Sequence, residues 1–394
     1  IEELNTPCYI IKKEAFCNNI KSVIEAFTSH WGENIVLGYS IKTNHMNWFL
    51  KEASTMGFMA EAVSGDEVNL AIREGYSPEN IIFNGPQKKM KDIKLILENG
   101  GIVNIDNFSD VDSIKQILSE GKEIIGKVGI RINFNLEQEC NGETTAGKEV
   151  SRFGVCLENG DVSKTIDLLR EMKISIAGLH LHFSTKSRSK KVFSTLARYA
   201  AKIVEDYSLK EIQYIDIGGG FFGGQKNVGY PTMEEYAKCI CQELLKVLDP
   251  RKVRLILEPG ASILATAVEY LMEVINERYI RDTKILTTDG SILHINPFMS
   301  KRIPSIEWVS ERKGRKNISK QIVCGSTCME NDRFINIENC AEIKQKDRIK
   351  VLYTGAYTMA FNSCFINLPP NIYVETDEEW QLLRMPDPTM TSLI

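Results

Sequence analysis

The chain has 394 residues, a formal net charge of −4 and an isoelectric point near 5.9. This length suits two domains, or one large barrel with an appended domain. The acidic balance argues against a surface for nucleic acid or anionic membranes, and no apolar run approaches the roughly 18 residues that span a bilayer. The chain starts at Ile1 without the apolar core of a signal peptide, and we expect the first residues of the natural product to be missing.

Ten cysteines are scattered along the chain and form neither a CxxC pair nor a His-linked zinc pattern. A protein of this size does not depend on disulfide bonds, because its core is large enough without them. We therefore expect reduced thiols, no bound metal and a cytoplasmic location.

A repeating unit organises the chain up to about residue 266. Eight short runs, rich in β-branched or aliphatic residues, have the length of buried strands: Ile35–Ile41, Gly57–Val63, Asn80–Asn84, Gly101–Asp106, Lys127–Asn133, Ile176–Phe183, Tyr214–Gly218 and Arg254–Glu258. Amphipathic helices are predicted between them, and several end at a glycine such as Gly75, Gly100 or Gly121. Eight strand–helix units in a row predict an α/β fold with a (β/α)8, TIM-type barrel, although an open doubly wound sheet would give the same pattern.

The character of the sequence changes after about residue 266. Four runs are predicted as strands, with turns between them and little helix: Val268–Val274, Lys284–Asp289, Gln321–Cys324 and Lys350–Tyr353. We predict a barrel domain over residues 17–266 and a C-terminal all-β domain made of residues 267–394 together with residues 1–16.

The carboxyl-terminal ends of the strands carry the chemistry in a barrel of this kind. These ends hold Lys42, Glu61, Asn84, Asp106, Arg131, Asn133, His182, Gly218 to Gly220 and Glu258. Lys42 is the most informative, because a lysine beside an apolar strand is costly to bury unless it is paired or used chemically. One chemical use is condensation of its amine with an aldehyde cofactor, whereas a lone lysine just past a strand is more often a solvated loop residue.

Three consecutive glycines, Gly218 to Gly220, follow the seventh predicted strand, where such barrels usually bind phosphate. Backbone N–H groups can approach an anion closely there, and a tight turn is the alternative interpretation.

Glu258 ends the eighth strand, and a buried carboxylate needs a cationic partner such as a protonated pyridine nitrogen. His180 and His182 share one face of the sixth strand, so a metal pair is an alternative to packed histidines, but the sequence shows no third ligand at suitable spacing.

These residues lie within nine motifs that occur in one order along the chain. The motifs are TPCYII at Thr6, YSIKTN around Lys42, VSGDEVNLAIREGYSPENIIFNGPQK at Val63, SRFG at Ser151, GLHLHFST at Gly178, IDIGGGF at Ile215, LEPG at Leu257, CGSTCMEND at Cys324 and GAYTMAF at Gly355. In them the whole chain resembles the alanine-racemase-like (group IV) decarboxylases that depend on pyridoxal 5'-phosphate (PLP), which include diaminopimelate, ornithine and biosynthetic arginine decarboxylases. The resemblance implies the barrel fold and the PLP cofactor. It also implies a homodimer in which each site takes residues from the β domain of the partner.

The resemblance implies a cofactor role for each matched barrel residue. Lys42 would carry PLP covalently, His182 would stack on its ring, and Glu258 would pair with the pyridine nitrogen. The phosphate would be bound by Thr185, Gly219, Gly220 and Tyr357.

The resemblance also implies roles toward the substrate. The catalytic residues would be Lys42, His182 and Cys328, with Cys328 returning a proton after loss of CO2. Asp332 would meet the distal end of the substrate, and Met329 takes the place of an acidic residue that usually follows Cys328 in the family.

Three departures from the family bear on the substrate. Ala261 stands where the family has the arginine of EPGR, Asn296 stands where diaminopimelate decarboxylases have an arginine before proline, and Met329 replaces the acidic residue. Each lost charged contact is worth about 1.5–3 kcal/mol. We therefore predict decarboxylation of an amino acid or amino-acid conjugate to its amine, with meso-diaminopimelate disfavoured. A larger, less polar or carrier-tethered substrate from a specialised pathway would suit Met329, and Lys301 with Arg302 would supply a replacement cation.

Two other functions remain open from the sequence. A racemase on the same fold would need a second base opposite the lysine, whereas the CGSTC motif is typical of the decarboxylases. A non-catalytic homologue that binds a partner protein would tend to lose the lysine or the phosphate motif, and both are present here.

Overall fold

The structure is a computed structural model that describes residues 1–224, 229–301, 303–362, 364–376 and 379–385. The chain divides into two compact units, Asn19–Ser262 and Ile1–Asn18 with Ile263–Ile394. It begins with strand β1 (Cys8–Lys12) and helix α1 (Lys13–Trp31). No helix among the described residues is both long enough and apolar enough to cross a bilayer.

A closed parallel barrel forms the unit Asn19–Ser262. Its strands are β2 (Ile35–Ser40), β3 (Met59–Ala62), β4 (Ile81–Phe83), β5 (Ile102–Ile105), β6 (Lys127–Asn133), β7 (Val155–Cys156), β8 (Ile176–His180), β9 (Tyr214–Asp216) and β10 (Arg254–Leu257). Eight of them close the ring in the order β2-β3-β4-β5-β6-β8-β9-β10, with β10 pairing back to β2, while β7 pairs with β6 at its end. The predicted barrel is confirmed, and the open doubly wound sheet is wrong.

Helices connect the barrel strands, as their end signals predict. They are α2 (Asn47–Thr55), α3 (Gly65–Arg73), α4 (Met90–Glu98), α5 (Phe108–Ser119), α6 (Leu136–Glu139), α7 (Asp161–Glu171), α8 (Lys190–Asp206), α9 (Met233–Leu244) and α10 (Ala261–Leu264). Thr232 caps α9 by accepting a hydrogen bond from the backbone N–H of Glu235, whose carboxylate in turn accepts from the backbone N–H of Thr232. Gly75 and Gly121 follow their helices with φ of 99° and 73°, a backbone region that favours glycine.

The interior of the barrel contains a tyrosine for which two glycines make room. Tyr214 of β9 is buried, and a Cβ atom at Gly129 or at Gly178 would lie 2.1 Å from its side chain. The hydroxyl of Tyr214 donates a hydrogen bond to Oδ1 of Asn104 at 2.7 Å, so its polar end is satisfied inside the barrel. This hydrogen bond begins a polar chain that continues to the carboxyl ends of the strands.

The other unit contains a nine-stranded mixed sheet. Besides β1, it comprises β11 (Val268–Ile280), β12 (Thr283–Thr288), helix α11 (Ile292–Ile295), β13 (Ile306–Trp308), β14 (Asn317–Cys324), β15 (Arg333–Ala341), β16 (Arg348–Val351), β17 (Asn371–Glu375) and β18 (Trp380–Arg384). The four predicted strands are present, and the sheet also includes β13, β15, β17 and β18, which were not predicted. β1 pairs with β11 and β17, which places the short strand at Cys8 in this sheet. The predicted domain limits stay a prediction, and residues 386–394 lie outside the described part of the chain.

Candidate active site

Lys42 lies directly after β2, in a single 3-10 turn formed by Ile41–Thr43. Its Nζ is 2.5 Å from Oε2 of Glu61, whose side chain on β3 is completely buried. The hydroxyl of Ser40 donates to the same oxygen at 2.8 Å. The lysine is therefore held at the mouth of the barrel by a buried carboxylate, and it is not a solvated loop residue.

A large cavity opens at the carboxyl ends of the strands. Its volume is about 1280 Å³, and its lining includes seven of the residues that the sequence placed at strand ends: Lys42, Glu61, Asn84, Arg131, Asn133, His182 and Glu258. The loop that follows β6 forms much of the remaining wall, from Asn133 to Glu158. The barrel thus brings the predicted polar residues together around one space.

Glu258 follows β10 and is 3% exposed. Its Oε1 accepts a hydrogen bond from Nδ2 of Asn84 at 2.6 Å, and its Oε2 lies 3.8 Å from Nε2 of His180. Burial and the neighbouring carboxylates of Asp216 and Glu61 raise the pKa of Glu258 well above its usual range. The charge of Lys42 opposes this shift, and a cationic ligand at Glu258 would oppose it further.

The residues beside Glu258 correct one conclusion from the sequence. The side chains of His180, Asp216 and Glu258 place one donor atom each within 4.8 Å of one another. The sequence suggested a metal pair of His180 and His182 and no third ligand. The group of three was missed because its members come from three neighbouring strands that are far apart in the sequence. Burial raises the pKa of Asp216 to about 7 and lowers that of His180, which leaves a neutral imidazole there. The absence of a metal stays a prediction, and a metal would compete with a pyridine nitrogen for Glu258.

His182 lies two residues beyond the end of β8, which stops at His180 and not at Phe183 as predicted. Its Nδ1 accepts a hydrogen bond from the backbone N–H of Gly219 at 3.1 Å. Burial, together with the charges of Arg131 and Lys42, lowers the pKa of His182 to about 3. The ring is therefore neutral, with a fixed orientation, where it faces the cavity.

The glycine segment packs tightly beneath these two side chains. A Cβ atom at Gly218 would lie 2.6 Å from His182, and one at Gly219 would lie 2.2 Å from the carbonyl oxygen of Glu258. Gly220 has φ +96° and faces open space, with no atom within 4 Å of such a Cβ. This segment forms a backbone cradle of the kind that binds phosphate, although the N–H of Gly219 is already engaged by His182. Thr185, also predicted at the phosphate, lies in the loop after β8 and forms an isolated bridge with Thr144.

Four predicted site residues belong to the other unit. Tyr357 is 38% exposed with φ +58°, Cys328 is exposed, and Met329 is half-buried. Asp332 is only 2% exposed, and its oxygens accept hydrogen bonds from the backbone N–H of Ile292 at 2.7 Å and from the N–H and hydroxyl of Thr327 at 3.1 and 2.6 Å. Its carboxylate is thus used within its own loop, and a contact with substrate stays a prediction.

The barrel residues meet the chemical requirements of a PLP site. They provide a primary amine on Lys42, a flat neutral ring on His182, a backbone cradle at the glycines and a buried carboxylate on Glu258. A pyridine aldehyde phosphate would use each of these groups.

Comparison with known proteins decides the family. Residues 17–265 match the pyridoxal binding domain of the pyridoxal-dependent decarboxylases. The chain belongs to this family. It is a PLP-dependent carboxy-lyase that acts on an amino acid, and the predicted family and cofactor are confirmed.

Several relatives of this decarboxylase are similar along most of its length. A probable chloroplastic diaminopimelate decarboxylase of Oryza sativa is 27% identical over 384 residues, which cover 94% of this chain and 76% of the relative. The diaminopimelate decarboxylase of Methanocaldococcus jannaschii is 26% identical over 367 residues, covering 90% and 83%. The crystal structure of the latter superposes with a TM-score of 0.87, at 24% identity and with 98% and 91% of the chains covered. The arginine decarboxylase of Paramecium bursaria Chlorella virus has a TM-score of 0.77, at 18% identity, with 94% and 96% covered.

The geometry of the decarboxylase adds residues that sequence reasoning did not place in the site. Asp216 was overlooked although it precedes the glycines in IDIGGG, and Asn104 was hidden within a strand. Alternation along β5 would have put Asn104 on the same face as Asp106, which was noticed. Glu61 and Asn84 were noticed at strand ends but had no role until the structure showed their partners.

Proposed function

We propose that Lys42 carries PLP in this decarboxylase and that Glu258 pairs with the ring nitrogen. The observation that carries this proposal is the convergence of Lys42, His182 and Glu258 on one cavity beside the glycine cradle. Bound PLP supplies an aldehyde that condenses with amines and a protonated ring that withdraws electrons from the bonds to the substrate Cα.

The protein residues have distinct tasks around that group. Glu61 holds the Lys42 amine near the ring, and the neutral imidazole of His182 covers one ring face. The buried carboxylate of Glu258 would favour a protonated ring nitrogen, because a buried carboxylate is stabilised by a cation. The site must also orient the substrate carboxylate perpendicular to the ring and exclude water, so that CO2 is lost in preference to other groups.

We further propose that the substrate differs from meso-diaminopimelate. The amide of Asn296 is used locally: its Nδ2 donates to the carbonyl of Ser300 at 2.7 Å and its Oδ1 accepts from the Ser300 backbone at 3.1 Å. Ala261 carries no charge, and Asp332 is engaged in its own loop. Arg302 lies outside the described residues. The curated relatives named above are diaminopimelate decarboxylases and give this part of the proposal no support.

The cavity of a single subunit leaves room for a larger amino acid or an amino-acid conjugate. Ligand cavities commonly measure about 300–1,000 Å³, and this one measures about 1280 Å³. The cavity would hold the cofactor together with a substrate that extends along the loop after β6. A carrier protein could present such a substrate at an opening of this kind.

A substrate panel in D2O with PLP-loaded protein tests the function. We expect an amine that has lost CO2 and gained one deuterium from lysine, ornithine, arginine or a larger conjugate, with meso-diaminopimelate turned over more slowly. Efficient turnover of meso-diaminopimelate would refute the substrate proposal. Deuterium exchange without loss of CO2 would identify a racemase, and the crystal structure of the Methanocaldococcus enzyme with L-lysine makes lysine a sensible first compound.

We propose a homodimer in which the β domain of each subunit completes the site of its partner. Large apolar side chains of the unit that contains Ile263–Ile394 are exposed: Phe298, Ile303, Phe361, Phe365 and Ile366. The rings of Phe298 and Phe361 contact each other, with centroids 4.7 Å apart, which suggests a continuous apolar face of the type found in interfaces.

Subunit mixing tests the shared site. Lys42→Ala and Cys328→Ala subunits are each expected to be inactive or nearly so. When they are unfolded and reassembled together, heterodimers should contain one intact site, and about a quarter of wild-type activity should return. No recovery, with heterodimers verified by mass, would refute sharing.

We also propose a cytoplasmic location, which the ten free cysteines support because such thiols persist in a reducing compartment.

A further inference from the structure

One amide side chain joins the two buried carboxylates of the site. Asn84 follows β4 and is 2% exposed, and its backbone N–H donates to the carbonyl of Ala62 at 2.8 Å. Its Nδ2 donates to Oε1 of Glu258 at 2.6 Å and to Oε1 of Glu61 at 3.2 Å. Both N–H bonds of the amide are therefore directed at carboxylates.

Asn104 and Tyr214 continue this hydrogen-bond chain into the interior of the barrel. Nδ2 of Asn104 donates to Oδ1 of Asn84 at 2.9 Å, and Oδ1 of Asn104 accepts from the hydroxyl of Tyr214 at 2.7 Å. An amide oxygen can only accept and an amide nitrogen can only donate. The carboxylates of Glu61 and Glu258 only accept, so they fix the nitrogen of Asn84 toward them and its oxygen toward Asn104. A flipped Asn84 amide would break three hydrogen bonds.

The charges around the amide explain what it does. Glu258 faces the carboxylates of Glu61 on β3 and Asp216 on β9, and it also faces His180 on β8 and the more distant Lys42. Like charges and burial both favour protonation of Glu258, whereas donated hydrogen bonds favour its ionised form. Asn84 donates to Glu258 and Glu61 without adding a charge, so it stabilises two adjacent carboxylates at once.

We propose that Asn84 is a positioning residue that directs the carboxylate of Glu258 at the ring nitrogen of PLP, while the same amide holds Glu61 in place for Lys42. This inference rests on the proposed pairing of Glu258 with the ring nitrogen. Without the amide, Glu258 loses the donor that fixes its carboxylate and favours its ionised form, so its pairing with the ring nitrogen would be weakened. The site of the variant would then favour a protonated ring nitrogen less than the site of wild type does.

The test compares two ligands that differ at one atom. Dissociation constants for PLP and for 1-deazapyridoxal phosphate, which has carbon in place of the ring nitrogen, are measured by fluorescence quenching in wild type and Asn84→Leu. We expect wild type to bind PLP more tightly than the analogue by about tenfold or more, and Asn84→Leu to lose most of that preference. The matched control is Thr165→Val on α7, a buried polar side chain replaced by an isosteric apolar one far from the cavity lining, and it should keep the preference.

Two outcomes overturn the inference. In the first, Asn84→Leu keeps the preference of wild type for PLP, whether or not both affinities fall equally, and Asn84 is then a structural residue only. In the second, wild type binds PLP no more tightly than 1-deazapyridoxal phosphate. This result would refute the proposed pairing of Glu258 with the ring nitrogen, and it is distinguishable from a failure at Asn84 because it appears in wild type. Should Asn84→Leu not fold, Asn84→Ala gives the same comparison, because a ratio of two affinities cancels a general loss of stability.

A spectroscopic measurement adds an independent readout. PLP labelled with ¹⁵N in the ring is bound to wild type and to the variant, and its chemical shift reports the proton on that nitrogen. We expect a protonated ring in wild type and a shift toward the unprotonated value in Asn84→Leu. A protonated ring in both proteins would overturn the inference.

Discussion

The amine of Lys42 lies 2.5 Å from Oε2 of Glu61, a carboxylate with no exposed surface. Ser40 donates to the same oxygen, and Asn84 donates to the other, so every oxygen of Glu61 has a partner. A carboxylate held in this way cannot rotate away from the lysine. It keeps the amine within reach of the cavity and stabilises its ammonium form, which must lose a proton before it can attack an aldehyde.

Replacement of Lys42 should separate charge from covalent chemistry. Lys42→Arg retains a cation beside Glu61 and should fold like wild type, but a guanidinium does not condense with an aldehyde. After borohydride reduction of PLP-loaded protein, peptide mass spectrometry should find the phosphopyridoxyl group on the peptide of Lys42 in wild type and on no peptide of the variant. Lys42→Arg and Lys42→Ala should both lose turnover. An active variant of either kind would refute the assignment.

Replacement of Glu258 by glutamine should affect the apoenzyme and the loaded enzyme differently. The apoenzyme buries Glu258 beside the carboxylates of Asp216 and Glu61, so Glu258→Gln should leave its melting temperature unchanged or raise it. The increase in melting temperature on adding PLP should shrink, because the ion pair with the ring is lost. Calorimetry with and without PLP measures both effects. An equal loss of stability in the two states would show that Glu258 is structural only.

Asp216 should make the apoenzyme less stable as pH rises. Burial raises its pKa in the folded protein to about 7, whereas the unfolded value is near 3.8. Between these values the folded state retains a proton that the unfolded state has released, so this contribution to stability is complete at low pH and is lost as pH rises toward 7 and above. Asp216→Asn keeps the acceptor for the N–H of Gly218 and cannot ionise. The melting temperature of wild type relative to the variant should therefore fall as pH rises from 3.8 to about 7, and a constant difference would contradict this.

Gly219→Ala should weaken cofactor binding through a steric clash. The new methyl group would lie 2.2 Å from the carbonyl oxygen of Glu258, so the phosphate cradle or the Glu258 backbone must move. We expect at least about a tenfold increase in the dissociation constant for PLP, equivalent to 1.4 kcal/mol. Gly121→Ala, at φ +73° with open space around it, is the control. It should cost about 1 kcal/mol of stability from backbone strain and leave PLP affinity unchanged.

Asp332→Asn should reveal whether this residue acts on the substrate or on its own loop. The amide cannot accept from all three donors of Ile292 and Thr327, so we expect a loss of about 1–3 kcal/mol in unfolding free energy. If its role is structural, KM should change little once the folded fraction is corrected for. Glu330→Gln, with a 98% exposed side chain, is the matched control and should alter neither quantity. A stable Asp332→Asn with a much higher KM would restore the predicted contact with substrate.

Much of the fold was predictable because each barrel strand is buried on both faces and stands out as an apolar run. The strand β15 was missed because most of its residues are at least partly exposed, and β17 and β18 because each is a run of only five residues. Lys42, Glu258 and the glycines were predictable because each interrupts an apolar pattern at a strand end. The partners of these residues were not, since whether Asn84 reaches Glu258 depends on the order in which the barrel closes and on the register of strands 174 residues apart.

Tyr214 gives the base of the barrel an influence on cofactor chemistry. Its side chain is seated between Gly129 and Gly178, neither of which lines the cavity, yet its hydroxyl binds Asn104, which in turn binds Asn84. A single methyl group added at either glycine would tilt the phenol and turn the amides above it. Such a protein would keep every residue proposed to contact PLP and still lose the arrangement that favours a protonated ring nitrogen. Inactivating substitutions in this enzyme should therefore be sought inside the barrel as well as at its mouth.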